Sequence, residues 1–535
     1  MRSDAKTTGP ASALGAAIRA AYAAGQEDEA LKPIVKVRAD GAPAGRIGRG
    51  DVLIFYDIRG EREIEITRSL TDPAFRPFPV DEDLGLHFVT MIEYDSNLNV
   101  RVAFPKEEQI RNTLVEVVSR AGMRLAKVAE SEKAAHIGFF LNGKSETVFP
   151  GEERIVVPSP EGLVNYDEQP EMSAAAVAEA VVRKAAEPGV RLVLANFANV
   201  DVVGHIENRA AVLRAIEAVD AALGRVAAEA ERLGAVLIVT ADHGTVEEWM
   251  YPDGTINTGH TRNPVPFVFA DFSGPRSSAP RLRPVGELAD VAPTVIGLLG
   301  LATPAEMTGR SLLASGALRN PGAAKVLALI LDGWGLGDGG DGDLIARART
   351  PHFDALRERF SHVLLQASGE AVGMPPGTVG NSEAGHLHLG AGRRVFLDRV
   401  RIDRAVQDGS FRANPVFREA LERAKAVKRP LHLMGIISHY SSHGTIDHLF
   451  ALLEMARAAA VPEVYVHGFI GRRGERPESG AIYVEKVEDK CRELGTGEVV
   501  TVLGRYWSMD RESNWDRVEK AYRALVYGEG TQARG

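Results

Sequence analysis

Four short apolar runs each adjoin an acid, an amide or a histidine, and this constrains the fold more than any other feature of the chain. LVLANF (192–197) leads to Asn199 and Asp201, and VLIVT (236–240) leads to Asp242 and His243. VPFVFA (265–270) follows shortly after His260, and VLALIL (326–331) runs directly into Asp332. Apolar runs of this length, alternating with longer helical patterns, predict an α/β fold built on parallel sheet. Open sheets of that kind place their chemistry at the carboxyl ends of the strands. Between the first two runs, NRAAVLRAIEAVDAALGRVAAEAERLG carries apolar residues at helical spacing, with Gly234 as the expected C-cap. A second α/β region, about 400 to 527, contains LHLMGII, HLFALLEMARAAA, VYVHGFI and VVTVLG. The first hundred residues share its character through VLIFYDI and FVTMIEY, and ASGALRNPGA (314–323) reads as a surface linker.

The polar residues at the strand ends form a candidate metal set. Asp201 and His205 are four apart and would project from one face of a helical turn. Alone, that pair is a weak signal and is better explained as a solvated polar helix face. Adjacent Asp242 and His243 in TADHG are poor core composition at a strand end, and Asp332 in LILDGWG ends another strand ahead of Gly333. With His260 and Ser382 this makes a mixed oxygen and nitrogen set. Such a set suits Mn²⁺, Mg²⁺, Zn²⁺ or Fe²⁺ better than Ca²⁺, and it is large enough for two ions.

Ser382 lies in GNSEAGH, behind the Gly- and Pro-rich approach GEAVGMPPGTV. Glycines let the backbone turn sharply and come close to an anion. No neighbouring histidine has to activate the hydroxyl, because coordination to a metal can deprotonate it. A Gly-rich loop with an incidental serine would be the simpler reading if the motif stood alone.

At 535 residues the chain is too long for one core, and two or more domains are expected. A net charge of −9 gives no electrostatic footprint for nucleic acid or an anionic membrane, so an anionic substrate must be caught by local arginines. The lone Cys491 excludes an intrachain disulfide and points to a reducing, cytoplasmic compartment. The Ala-rich stretch near the N-terminus fits neither a signal nor a transit peptide, and no run has membrane-spanning length.

LILDGWG, GNSEAGH, ANVDVVGH, TADHGT and HTRNPVPF together resemble the motifs of cofactor-independent phosphoglycerate mutases, within the alkaline phosphatase superfamily. LHLMG, IDHLFALLEMA, VYVH, GRYWSMDR and RVEKAYRALV extend the resemblance over nearly the whole chain. It implies an alkaline-phosphatase-like parallel-sheet metal domain and a second α/β transferase domain. One ion would be held by Asp201, His205 and His260, the other by Asp332, Ser382, Asp242 and His243, with Ser382 phosphorylated in each cycle. Manganese is foremost among the expected metals. The motif order is circularly permuted relative to the family, since the LDGWG and GNSEAGH pieces follow the TADHG and HT pieces here. By motif position the metal domain spans 108–396, and the transferase domain combines 1–107 with 397–535.

The resemblance also implies substrate-binding roles for Arg59, Arg62, Lys133, Arg473, Arg505 and Arg511, and a catalytic, substrate-contacting role for His443. Guanidinium forks suit the carboxylate and phosphate of a phosphorylated three-carbon acid, and Arg59 and Arg62 are spaced for one helical face. Three positions depart from the family: Gly474 replaces the acid of an Arg-Asp pair, His439 an Asp, and Asp57 an Asn. Glu475 stands one residue from the lost acid. The leading expectation is phosphoryl transfer through Ser382 to a glycerate-like acceptor, interconverting 2- and 3-phosphoglycerate. Alternatives are transfer of a phosphoryl or phosphonyl group between altered partners, a phosphatase or phosphodiesterase, and an idle relative. A monomer with a small anionic substrate, acting without nucleic acid or membrane, is expected.

Overall fold

The computed structural model describes residues 12–81, 84–106, 110–274, 281–314, 325–439, 441–471 and 475–534. The chain divides into two units, residues 107–400 and residues 1–106 with 401–535. Each is an α/β body around one eight-stranded sheet. Most of the 314–323 stretch lies outside the described residues.

In chain order the first four strands are β1 (Ile34–Val37), β2 (Val52–Phe55), β3 (His87–Ile92) and β4 (Arg101–Phe104). The unit of residues 107–400 contributes β5 (Arg124–Glu130), β6 (Glu152–Val157), β7 (Val190–Phe197) and β8 (Val236–Thr240). It continues with β9 (Val265–Asp271), β10 (Gly286–Glu287), β11 (Val326–Leu331) and β12 (Ser361–Gln366). The last four are β13 (Leu431–Ile436), β14 (Val464–Ile470), β15 (Glu498–Gly504) and β16 (Thr531–Arg534).

The sheet of residues 107–400 has the order β10-β12-β9-β8-β11-β7-β5-β6. Strands β8 and β11 are buried at every residue. Their unbroken apolar runs follow from helices covering both faces of a parallel sheet. β12 alternates buried and exposed side chains, as a strand near the edge does. The expectation of a parallel sheet holds for every strand but β9, which pairs antiparallel with both β8 and β12. That reversal matters for the site. It brings the amino end of β9, where His260 lies, to the edge at which the other strands have their carboxyl ends.

The helix Arg209–Leu233 packs its Val212, Ile216, Val219, Leu223 and Val226 stripe into this core. Asn208 caps its start by accepting from Ala211 N, and Gly234 ends it in the left-handed conformation at φ 59°.

The other unit has the order β16-β1-β15-β14-β13-β2-β3-β4. Six strands from β15 to β4 run parallel, while β1 meets β15 antiparallel and carries β16 alongside it. The pairing of β13 with β2 joins segments from opposite ends of the chain. Cys491 is buried in the helix Gly480–Leu494, and burial pushes its thiol up to about 12, which suits a packing role. No helix among the described residues is long and apolar enough to cross a membrane.

Candidate active site

The carboxyl edge of the β7, β8 and β11 strands gathers the polar residues singled out above. After β7, the helix Asn199–Gly204 carries Asp201 and is capped by His205, whose Nε2 reaches Asp201 Oδ1 at 3.3 Å. Asp242 and His243 follow β8, and Asp332 follows β11. Gly333 has φ +80°, and a Cβ there would stand 2.8 Å from the Asp201 backbone. Only glycine lets the chain after Asp332 turn this way and pass so close to Asp201. Lys133 ends a short turn after β5.

Ser382 is the first residue of the helix Ser382–Ala391, and Asn381 caps that helix by accepting from Ala384 N at 2.8 Å. A helix amino end presents free N–H groups and the positive pole of its dipole, which favour a phosphate at this serine. One turn in, a Cβ on Gly385 would lie 2.5 Å from the Asp242 carbonyl oxygen. Helix propensity would favour Gly385→Ala by about 1 kcal/mol, whereas overpacking costs about 1–3 kcal/mol. The clash should win. We expect Gly385→Ala to melt several degrees below wild type, and an unchanged or higher midpoint in a thermal scan would contradict this packing.

The Ser382 hydroxyl lies 2.8 Å from Lys133 Nζ, 2.9 Å from His243 Nε2 and 3.2 Å from Asp332 Oδ1. Lys133 also contacts Asp201 at 2.7 Å and Asp332 at 2.8 Å. Asp201, Asp242 and Asp332 are all buried. Burial raises such carboxyls, but at Asp201 the Lys133 ammonium and the His205 and His260 contacts outweigh it, and the group falls well below the usual range. Asp242 falls too, because His243 and His386 overcome its burial. At Asp332, burial and the Asp242 charge prevail and raise the carboxyl. Burial would lower the Lys133 ammonium, yet Asp332, Asp201 and Asp242 together raise it.

The histidines show what this set lacks. His205 Nδ1 faces the Thr258 carbonyl at 2.6 Å, and His260 Nδ1 faces the Gly380 carbonyl at 2.9 Å. A carbonyl only accepts, so both Nδ1 atoms carry protons. The two Nε2 atoms then point at each other across 3.2 Å, and His260 Nε2 stands 3.2 Å from Asp201 Oδ1. Three acceptor atoms converging on one point need a proton or a cation between them. Around the serine, His243 Nε2 lies 3.4 Å from Asp242 Oδ2 and 3.6 Å from Asp332 Oδ1, and Asp242 Oδ2 is buried without a hydrogen-bond donor. Three buried carboxylates face one lysine. Both groups of residues therefore fit divalent cations.

Sequence reasoning missed several supports of this site. His386 forms a third potential cluster with Asp242 and Asp332. Its Nδ1 donates to the Ser382 carbonyl at 2.8 Å and its Nε2 accepts from Asn196 at 2.9 Å, so both ring nitrogens are committed to hydrogen bonds. The same Asn196 amide reaches Asp332 Oδ2 at 2.6 Å. Buried Glu247 accepts from Thr245 N, the Thr261 hydroxyl and Asn263 Nδ2, tying together the loops that hold His243 and His260. His386 stood inside the quoted GNSEAGH motif; Asn196 and Glu247 carry no comparable signal.

In the unit of residues 1–106 and 401–535, the arginines gather at the carboxyl edge of its parallel strands. Residues Gly60–Arg62 form one 3-10 turn and Arg59 precedes it in an extended conformation, so Arg59 and Arg62 do not share an α-helical face as their spacing predicts. Glu61 joins Arg59 at 3.2 Å to Arg511 at 2.7 Å, and Arg62 Nη1 donates to the Met509 carbonyl at 3.1 Å. Arg505 is buried and pairs with Glu29 at 3.0 Å. His443 Nδ1 lies 2.8 Å from Glu63 Oε1. Glu475 accepts from the Ser438 hydroxyl, His439 N and Tyr483 OH, which fixes its position. Arg473 and Gly474 lie outside the described residues.

Comparison with known proteins places this arrangement in a family. The model described as the metalloenzyme superfamily matches residues 23–303, just over half of the chain. The model described as the BPG-independent PGAM N-terminus matches residues 402–534. The 2,3-bisphosphoglycerate-independent phosphoglycerate mutase of Desulforudis audaxviator is 50% identical over 214 residues, 40% of this chain and 42% of that protein. The enzyme of the same name from Syntrophotalea carbinolica is 43% identical over 299 residues, 56% of this chain and 57% of that protein. A solved Leishmania mexicana phosphoglycerate mutase, crystallised at low cobalt concentration, is 29% identical, covering 52% of this chain and 53% of that one with a TM-score of 0.36. The matched stretches thus span about half the length of these relatives. By these matches the chain belongs to the metalloenzyme superfamily, and within it is similar to the cofactor-independent phosphoglycerate mutases.

Proposed function

We propose that the protein interconverts 2- and 3-phosphoglycerate by passing the phosphoryl group through Ser382. The observation that carries this reading is the serine itself: a buried hydroxyl at a helix amino end, within 3.2 Å of Lys133, His243 and Asp332. The mutase names of its relatives favour phosphoglycerate over altered transfer partners or hydrolysis.

Two divalent ions, manganese foremost, belong to the proposal. Asp201, His205 and His260 would hold one, and Asp242, His243, Asp332 and Ser382 the other. When bound, they supply positive charge that activates the serine and neutralises phosphoryl oxygens. The chain's own groups do the rest. Lys133 is placed to steady the serine oxygen as charge develops on it, and the Ser382 helix end favours the phosphoryl anion. Arg59, Arg62, Arg473, Arg505 and Arg511 bind the carboxylate and phosphate of the substrate, and His443 contacts its reacting oxygen. A small phosphorylated substrate, a monomer in the cytoplasm, and no need of nucleic acid or membrane complete the reading. We also propose the circularly permuted order and the domain boundaries given above, supported by the match of an N-terminus model to residues 402–534.

The test is an assay of the manganese-loaded protein with 3-phosphoglycerate, scoring 2-phosphoglycerate and free phosphate separately. Isomerisation well in excess of phosphate release is expected. Phosphate as the dominant product would make the protein a hydrolase.

A further inference from the structure

Behind His443 stands a buried chain of acids. Asp57, Glu63 and His443 are 0%, 0% and 2% exposed. Glu63 Oε1 meets His443 Nδ1 at 2.8 Å, and Glu63 Oε2 accepts from the Arg62 N–H at 2.9 Å. Asp57 Oδ1 accepts from Ile436 N at 2.8 Å, but Asp57 Oδ2 is buried with no donor facing it. Its polar neighbour is the Glu63 carboxyl. Two carboxylates in contact in a dry site cannot both ionise, so one keeps a proton. Burial raises both, Asp57 well above the ordinary range and Glu63 to about 8. Asp57 therefore holds the proton and turns it toward Glu63. Once ionised, Glu63 accepts from Arg62 N–H and from His443 Nδ1–H, which leaves the lone pair on His443 Nε2. Burial also pushes the imidazole down to about 4, so it is neutral when the cycle begins. The other charged or titratable groups facing this cluster are Arg59, Arg62, Arg505 and the hydroxyls of Tyr56 and Tyr94.

We propose that Asp57, Glu63 and His443 form an acid–imidazole triad, in which His443 Nε2 takes the proton of the acceptor hydroxyl. Glu63 is its positioning residue, fixing the ring and its tautomer. This rests on the phosphoglycerate reading above. As the phosphoryl group moves, the P–O bond to Ser382 breaks and a P–O bond to the glycerate oxygen forms. The proton of that hydroxyl passes to His443 Nε2, while the Nδ1 proton stays on its hydrogen bond to Glu63. The serine oxygen departs beside Lys133. In the opposite direction His443 returns the proton to the leaving glycerate oxygen.

The test compares isomerisation of 3-phosphoglycerate with cleavage of p-nitrophenyl phosphate, whose leaving group needs no proton. In wild type the ratio of the two rates should rise severalfold between pH 7 and pH 9, as Glu63 ionises. Glu63→Gln should lower that ratio about 100-fold through kcat with little change in KM, and remove the rise with pH. Glu63→Asp should restore part of it. Nitrogen NMR of the histidines in the intact wild-type protein at pH 9, with His443 assigned by loss of its signal in His443→Gln, should show the Nδ1–H tautomer. That measurement stands even if Glu63→Gln fails to fold. A Glu63→Gln ratio within threefold of wild type, or an Nε2–H tautomer, would overturn the triad. Wild type that cleaves p-nitrophenyl phosphate but makes no 2-phosphoglycerate would instead refute the mutase reading, with the tautomer left to judge the triad.

Discussion

Ser382→Ala should reduce isomerisation by about 10⁴-fold or more, the scale on which loss of a covalent nucleophile acts. The variant should still fold. The substitution removes one hydroxyl at the start of a helix whose cap, Asn381, is untouched. Lys133 keeps its contacts with Asp201 and Asp332. The thermal midpoint should therefore stay within a few degrees of wild type while turnover vanishes. Substantial residual activity in a pure, folded variant would rule out a path through the serine.

Loss of metal should have an effect of comparable size. His205 and His260 turn their Nε2 atoms to one point beside Asp201, whereas Asp242, His243 and Asp332 surround Ser382. The two groups are separable by mutation. His260→Ala should deplete one ion and Asp332→Ala the other, each leaving about one ion per chain by elemental analysis. Either loss should cost on the order of 10³-fold in turnover, because the serine and phosphoryl charges lose a compensating cation. A chelator should silence wild type, and manganese should restore it. Full activity with one ion or none would overturn the two-ion assignment.

How legible these features were in the sequence depended on what each residue had to do. Asp242 and His243 announced themselves because an adjacent acid and histidine are poor core composition directly after a buried strand, and Asp332 because it ends another apolar run. The Asp201–His205 pair was legible from its four-residue spacing. His260 was legible as a candidate, but not the reason it reaches the site: reversal of β9 is a pairing outcome that an apolar run of six residues does not reveal. Asn196 lies inside the buried strand β7, where an amide reads as an interruption until Asp332 and His386 arrive from distant parts of the chain. Glu247 is one of many surface-like acids until two loops close over it. The Glu63–His443 pair spans 380 positions, so no local pattern could join them. Arg59 and Arg62 showed the opposite failure. Their spacing suggested a helical face, but the glycine between them opens a tight 3-10 turn instead.

The fate of the phosphoryl group decides whether the reaction runs through Ser382. Wild type turning over 3-phosphoglycerate should be quenched in acid, digested and mapped by mass spectrometry. Phosphate should be found on the peptide containing Ser382, at a level that rises with substrate and disappears in Ser382→Ala. Continued isomerisation with Ser382 unmodified at every time point, and phosphate on another residue or on none, would contradict it.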